Sequence, residues 1–225
     1  MSTRPILTLF HAPQSRSSGV LSLLEELAAP YALKILNMKA GEQRQAAYLA
    51  VNPLGKVPAV LHGDALITEQ VALFIYLADL FPAAGLAPAP GDPLRGPYLR
   101  WMAFYAACYE PALIDQALKR EPAPPSMCTY GDFDSMLKTV VARLASTPWL
   151  LGDTFSAVDL LWGQAFAWGM MFGVIPSDPV IVDYSARVTG RPSVVKIAAM
   201  DVELAAQHQM AVSSSRPGEI AAVAI

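Results

Sequence analysis

The chain has 225 residues, of which 54% are hydrophobic and only 16% charged, with a net charge of −3 and an isoelectric point near 5.6. No basic cluster is present, which argues against a nucleic-acid partner, and the two cysteines, Cys108 and Cys128, are too few for a disulfide framework and have no metal-ligand spacing. The most apolar stretch, residues 160–174, is interrupted by Gly163, Gln164, Gly169 and Gly173, short of the roughly 20 apolar residues a membrane span needs. The expectation is a soluble, cytoplasmic protein with no metal and no membrane partner, whose surplus apolar surface is buried between subunits.

Residues 6–10 (ILTLF), between Pro5 and Pro13, predict a first strand. From Ser17 onward Val20, Leu21, Leu23, Leu24 and Leu27 follow a helical spacing that ends before Pro30. Residues 31–36 predict a second strand, 42–49 a short helix, 57–61 a strand, 62–64 a turn, 65–67 a partner strand and 69–80 a helix. The order β-α-β-α-β-β-α makes the first two strands parallel. Residues 82–97 hold five prolines and three glycines and predict an interdomain linker. Helices are then expected at 98–119, 132–146, 156–172, 180–188 and 193–207, with the last dozen residues unassigned. The division is therefore 1–81, a linker at 82–97, and an all-helical 98–225.

Four motifs carry chemistry or structure. In Gly55-Lys56-Val57-Pro58-Ala59-Val60, a proline belongs at a strand start or edge. It is either an ordinary trans proline or a cis one that turns the main-chain N–H and C=O of Val57 outward to pair with an extended peptide. At residues 66–70 a strand runs into a helix whose N-terminus suits a carboxylate, with Glu69 suited to an ammonium; together they match the zwitterionic end of an amino acid. The plainer alternative makes Thr68 an N-cap and Glu69 a first-turn acid. The turn 11–18 places hydroxyls at a helix N-terminus, where a thiolate is stabilised, although capping is the alternative role for any one serine and His11 is read as structural. Ser156-Ala157-Val158-Asp159 is read as a capping box that starts a helix.

In this order the residues SRSSGVLSLLEEL, NPLGKVPAV, ITEQVALFIYL, the proline-rich segment and GDTFSAVDLL resemble the cytosolic glutathione transferase superfamily over nearly the whole chain. The first part looks most like the bacterial beta-like branch. The resemblance implies an α/β thioredoxin-like N-terminal domain with an all-α C-terminal domain, a homodimer, glutathione as co-substrate, and transfer of its thiol to a small apolar electrophile in detoxification. It implies that Val57, beside a cis Pro58, pairs with the cysteinyl unit, that Glu69 and Gln70 hold the γ-glutamyl end, and that Lys56 adds a polar contact.

For the group that activates the sulfur, family members place Tyr, Ser or Cys after the first strand. Gln14 falls nearest that position here, so Ser15 is the candidate, with Arg16 and Ser17 as alternates. Gln70 departs from the family's usual Ser. With no cysteine in the turn, exchange through an enzyme thiol is not expected, and Cys108 is read as inert. Tyr105 and Tyr109 are the picks for lining the acceptor pocket, with an apolar surface from Trp168, Met170, Met171 and Phe172; core or dimer packing is the alternative. Two further readings stay open: a non-catalytic ligand-binding or regulatory protein of this fold, and a glutathione-dependent disulfide reductase.

Overall fold

The computed structural model describes residues 7–121 and 123–214; Pro5, Ile6 and the end of the tail lie outside them. Among the described residues one mixed sheet has the order β2-β1-β3-β4. Its strands are β1 (Leu7–His11), β2 (Tyr31–Ile35), β3 (Ala59–His62) and β4 (Ala65–Ile67). β1 runs parallel to β2, with α1 (Ser17–Glu26) as the crossover, and antiparallel to β3; β3 and β4 form a hairpin. This is a thioredoxin-like α/β unit, followed by a helical part.

The alternation of β1 sends Leu7 and Leu9 into the main core and Phe10 to the other face, against Tyr48 and Ala59. The main core is continuous from the sheet through α1 and α3 (Gln70–Leu80) into the helical part. Trp162 sits fully buried there among Trp101, Tyr105, Tyr109 and Phe166, and burial of one such ring stabilises by about 2–3 kcal/mol.

Several boundaries differ from expectation for local reasons. β1 extends one residue further, to His11. β3 starts at Ala59, because Pro58 has no N–H to give to a ladder. The region expected to be one helix at 42–49 is a 3₁₀ turn, Glu42–Arg44, then α2 (Ala46–Leu49), with another 3₁₀ turn, Met38–Ala40, just before it. The Asn37 side chain caps that earlier turn through the N–H groups of Lys39 and Ala40, and Gly41, at φ 78°, stops it.

Helix α4 (Arg95–Phe104) begins inside the proline-rich 82–97 segment. Pro97 lies in its first turn, where a missing N–H costs nothing. The long helix expected over 98–119 is α4 and α5 (Glu110–Ala117), joined by a wider π turn over Tyr105–Tyr109. Pro111 explains the widening: its ring would clash with the Ala107 carbonyl, so the ladder steps to i−5, with Glu110 N–H on Tyr105 O. The freed Ala107 carbonyl accepts from Thr129 Oγ1 at 2.6 Å.

α6 (Phe133–Ser146), α7 (Ala157–Met171), α8 (Pro179–Thr189) and α9 (Pro192–Ser214) complete the helical part. The Ser156 box forms as read, with both the N–H and hydroxyl of Ser156 donating to Asp159 Oδ2. α9 lies along α1, fastened by Arg191 and Ser193 on Glu26, and reaches the segment after β2 through Asn37 on His208 O.

Candidate functional site

Strand register brings three segments to one end of the sheet. Phe10 pairs with Ala59 and Val60 with Ile67, so the turn after β1, the Val57-Pro58 step before β3 and Glu69 after β4 converge there. The Val57–Pro58 peptide is cis. The Lys56 carbonyl behind it accepts from Tyr48 Oη at 2.6 Å and Asn52 Nδ2 at 2.8 Å, which braces the loop. Among the described residues no hydrogen bond engages the main-chain N–H or C=O of Val57. The Lys56 side chain is exposed.

Glu69 is exposed and adopts φ 63°, ψ 117°, a region a residue with a Cβ occupies at a cost of about 1–3 kcal/mol. It stands immediately before α3, beside the free N–H groups of that helix. Gln70 turns inward: its Nε2 donates to the Arg16 carbonyl at 3.1 Å, and its Oε1 is buried without a partner. The Gln70 amide thus ties α3 to the turn.

The turn itself is a hydroxyl network. Ser15 is half-buried; its Oγ lies 2.7 Å from Ser17 Oγ, donates to Ala12 O at 2.8 Å and accepts from Ser17 N–H at 3.2 Å. Ser17 is fully buried and also contacts His11 Nδ1 at 2.8 Å, so its hydroxyl has no open side toward a ligand. Of the two serines, only Ser15 faces outward.

Arg16 makes a two-pronged pair with Glu110 of α5, Nε to Oε1 at 3.0 Å and Nη2 to Oε2 at 2.5 Å. That hydrogen bonding raises its pKa above the ordinary guanidinium value. Tyr105 Oη donates to the same carboxylate at 2.7 Å, linking the helical part to the turn.

Two tyrosines expected to line an acceptor pocket are core residues instead. Tyr109 is fully buried, with its hydroxyl on Ala165 O, and Tyr105 is 4% exposed. Burial first, then the Glu110 carboxylate, push the Tyr105 hydroxyl well up, so it stays protonated. The apolar character that suggested a pocket reflects packing on Trp162. The exposed aromatic surface is further along, where Trp168 and Phe172 line a recess of about 710 Å³ with Lys119 and Arg120; a second of about 420 Å³ lies between Glu25, Glu26 and Arg191. Neither recess is lined by residues of the 11–18 turn. Burial pushes the Cys108 thiol up, which leaves it protonated and unreactive near neutral pH.

A further residue of the site, Asp201 on α9, has no counterpart in the sequence reading. Its Oδ1 lies 2.9 Å from His11 Nε2, and its Oδ2 accepts from Gln14 N–H at 2.8 Å and Ser18 Oγ at 2.5 Å. The available signal was an acid on an apolar stripe, since Val194, Ile197 and Asp201 share the i, i+3, i+7 face and all are buried.

Residues 5–79 match the family described as Glutathione S-transferase, N-terminal domain. Glutathione S-transferase F9 of Arabidopsis thaliana is 30% identical over 158 residues, 65% of this chain and 72% of the relative. The chain belongs to the glutathione transferase family. Glutathione S-transferase GST-4.5 of Xanthomonas campestris is 26% identical over 176 residues, covering 75% of this chain and 85% of the relative. Among solved structures of the family, a glutathione transferase from Methylococcus capsulatus aligns with a TM-score of 0.73 at 28% identity, over 88% of this chain and 100% of its own. A glutathione transferase homolog from Sulfitobacter, solved with glutathione bound, aligns with a TM-score of 0.69 at 28% identity, over 89% and 100%. No helix among the described residues is long and apolar enough to cross a membrane.

Proposed function

We propose that this member of the family is an active transferase that binds glutathione at the sheet end, lowers the pKa of its thiol and adds the thiolate to a small apolar electrophile. The observation that supports this best is the convergence, by strand register, of an unpaired Val57 main chain, the strained Glu69 and the half-buried Ser15 hydroxyl. An extended cysteinyl unit would take the N–H and C=O of Val57 as a strand takes an edge. Glu69 would meet the ammonium and the α3 N-terminus the carboxylate of the γ-glutamyl end. Ser15 would donate to the sulfur, beside the N-terminus of α1, whose dipole favours the anion.

Lys56 is exposed and would add a polar contact to the bound tripeptide. Gln70 acts by holding the turn, and the Arg16 guanidinium is committed to Glu110. The relatives span plant and bacterial proteins, so the beta-like placement rests on the first part of the sequence alone. A homodimer in the cytoplasm, serving detoxification, completes the proposal.

Calorimetric titration with glutathione, followed by turnover of an aryl halide, tests the reading. Binding with turnover supports it; binding without turnover would favour a ligand-binding role, and no binding would overturn it.

A further inference from the structure

We propose that His11, held by Asp201, takes up the proton of the bound thiol through a relay of two hydroxyls, Ser17 and Ser15. The inference rests on the glutathione-activating reading above and adds to it the group that receives the proton.

The geometry is an unbroken line of contacts. Ser15 Oγ, the outward-facing end, is 2.7 Å from Ser17 Oγ; Ser17 Oγ is 2.8 Å from His11 Nδ1; His11 Nε2 is 2.9 Å from Asp201 Oδ1. His11 and Ser17 are fully buried, so water does not compete along the inner half. The Asp201 carboxyl is ionised at neutral pH: burial pushes its pKa up, but hydrogen bonds from His11, Ser18 and the Gln14 N–H outweigh that and hold it below the usual range. An ionised Asp201 accepts from Nε2–H, which leaves the Nδ1 lone pair to accept from the Ser17 hydroxyl. The roles match a serine–histidine–carboxylate triad with the two ring nitrogens exchanged and one hydroxyl added.

The step balances without any other reactant. The S–H bond breaks, its electron pair stays on sulfur, and its proton joins Ser15 Oγ. The Ser15 proton passes to Ser17 Oγ, and the Ser17 proton to His11 Nδ1. Both serines end neutral, the imidazolium faces the Asp201 carboxylate, and Ser15 O–H now points at the thiolate. Before the thiol arrives the Ser15 O–H rests on the Ala12 carbonyl at 2.8 Å, and it turns to Ser17 Oγ, 2.7 Å away, for the transfer.

Charge around the ring comes from Asp201 on α9. On the turn, Arg16 is paired with Glu110 of α5, which also holds Tyr105. Ser17 and Ser18 of α1 supply hydroxyls only. His11 is thus a positioning and proton-accepting residue that acts through the serines.

The test counts protons. Glutathione is titrated into the protein at neutral pH in buffers of different ionisation enthalpy, while the ultraviolet band of the thiolate is followed. The relay predicts thiolate formation with no proton lost to buffer. S17A, which cuts the line and leaves Ser15 in place, should lower the thiolate fraction about tenfold, one unit of thiol pKa, and release a full proton for each thiolate formed. D201N should behave likewise, and is read if S17A fails to fold. A full proton released by the unsubstituted protein, or a proton count unchanged in S17A, overturns the relay while leaving glutathione activation standing. No heat of binding in the unsubstituted protein overturns both.

Discussion

The N–H of Gln14 donates to Asp201 Oδ2 at 2.8 Å, pinning a non-glycine residue at φ 56° to a helix 187 residues away in sequence. The tip of the turn is held by a distant carboxylate as well as by the local hydroxyl network. Because the folded-state pKa of Asp201 is depressed, its contribution is complete above the unfolded value of about 3.9 and is lost as pH falls through the lower folded one. D201N should therefore be less stable than the unsubstituted protein at neutral pH and show a flatter acid limb. Urea midpoints measured between about pH 2 and 7 check this; an acid limb of the original slope in D201N would count against it.

Ser15→Ala removes the half-buried hydroxyl proposed to donate to the sulfur. Loss of a donor to a developing anion typically lowers turnover by about 10²–10³-fold. Glutathione affinity, carried by main chain and Glu69, should change far less. Steady-state kinetics with an aryl halide, varying both substrates, separates the two effects.

Glu69→Gly relaxes the φ 63° position and removes the carboxylate. Stability should hold or rise by up to about 1 kcal/mol, while glutathione affinity falls by at least about tenfold, the scale of one charge-assisted hydrogen bond. Parallel denaturation and calorimetry show whether stability and binding move in opposite directions.

Asp159→Ala should be among the most damaging single changes. It strands the N–H groups of Leu150 and Ser156 and the Tyr184 hydroxyl, all in buried surroundings. At about 1–3 kcal/mol for each orphaned buried group, the loss should reach at least about 3 kcal/mol. Chemical denaturation measures it, and Asp159→Asn, which keeps an acceptor, should lose less.

Gly163 lies where α7 meets α8, and a Cβ there would clash with the Val188 side chain. Gly163→Ala should cost about 1–3 kcal/mol by overpacking. Adding Val188→Ala should cost less on that background than alone, a coupling that a double-mutant cycle reports.

Features that depend on neighbours along the chain were legible beforehand. The Ser156 box marks a helix start through contacts spanning only three residues. The β3–β4 hairpin follows from its turn residues. Pro97 was misleading because a proline ends a helix only past its first turn, and the π turn at Tyr105–Tyr109 answers a clash at Pro111 that periodicity does not reveal. Tyr105 and Tyr109 show why aromatic residues at helical spacing do not announce which side is wet. The His11–Asp201 contact, spanning 190 residues, was invisible because nothing local distinguishes a carboxylate that faces solvent from one that faces a distant imidazole.

Asp201 also sets the order in which the protein becomes competent. A ribosome must pass α9 before the turn can be fastened, so the sheet and its first helix emerge earlier with the 11–18 turn untied. Proteolysis that clips α9 would loosen the turn from the far end of the chain while leaving the sheet itself uncut.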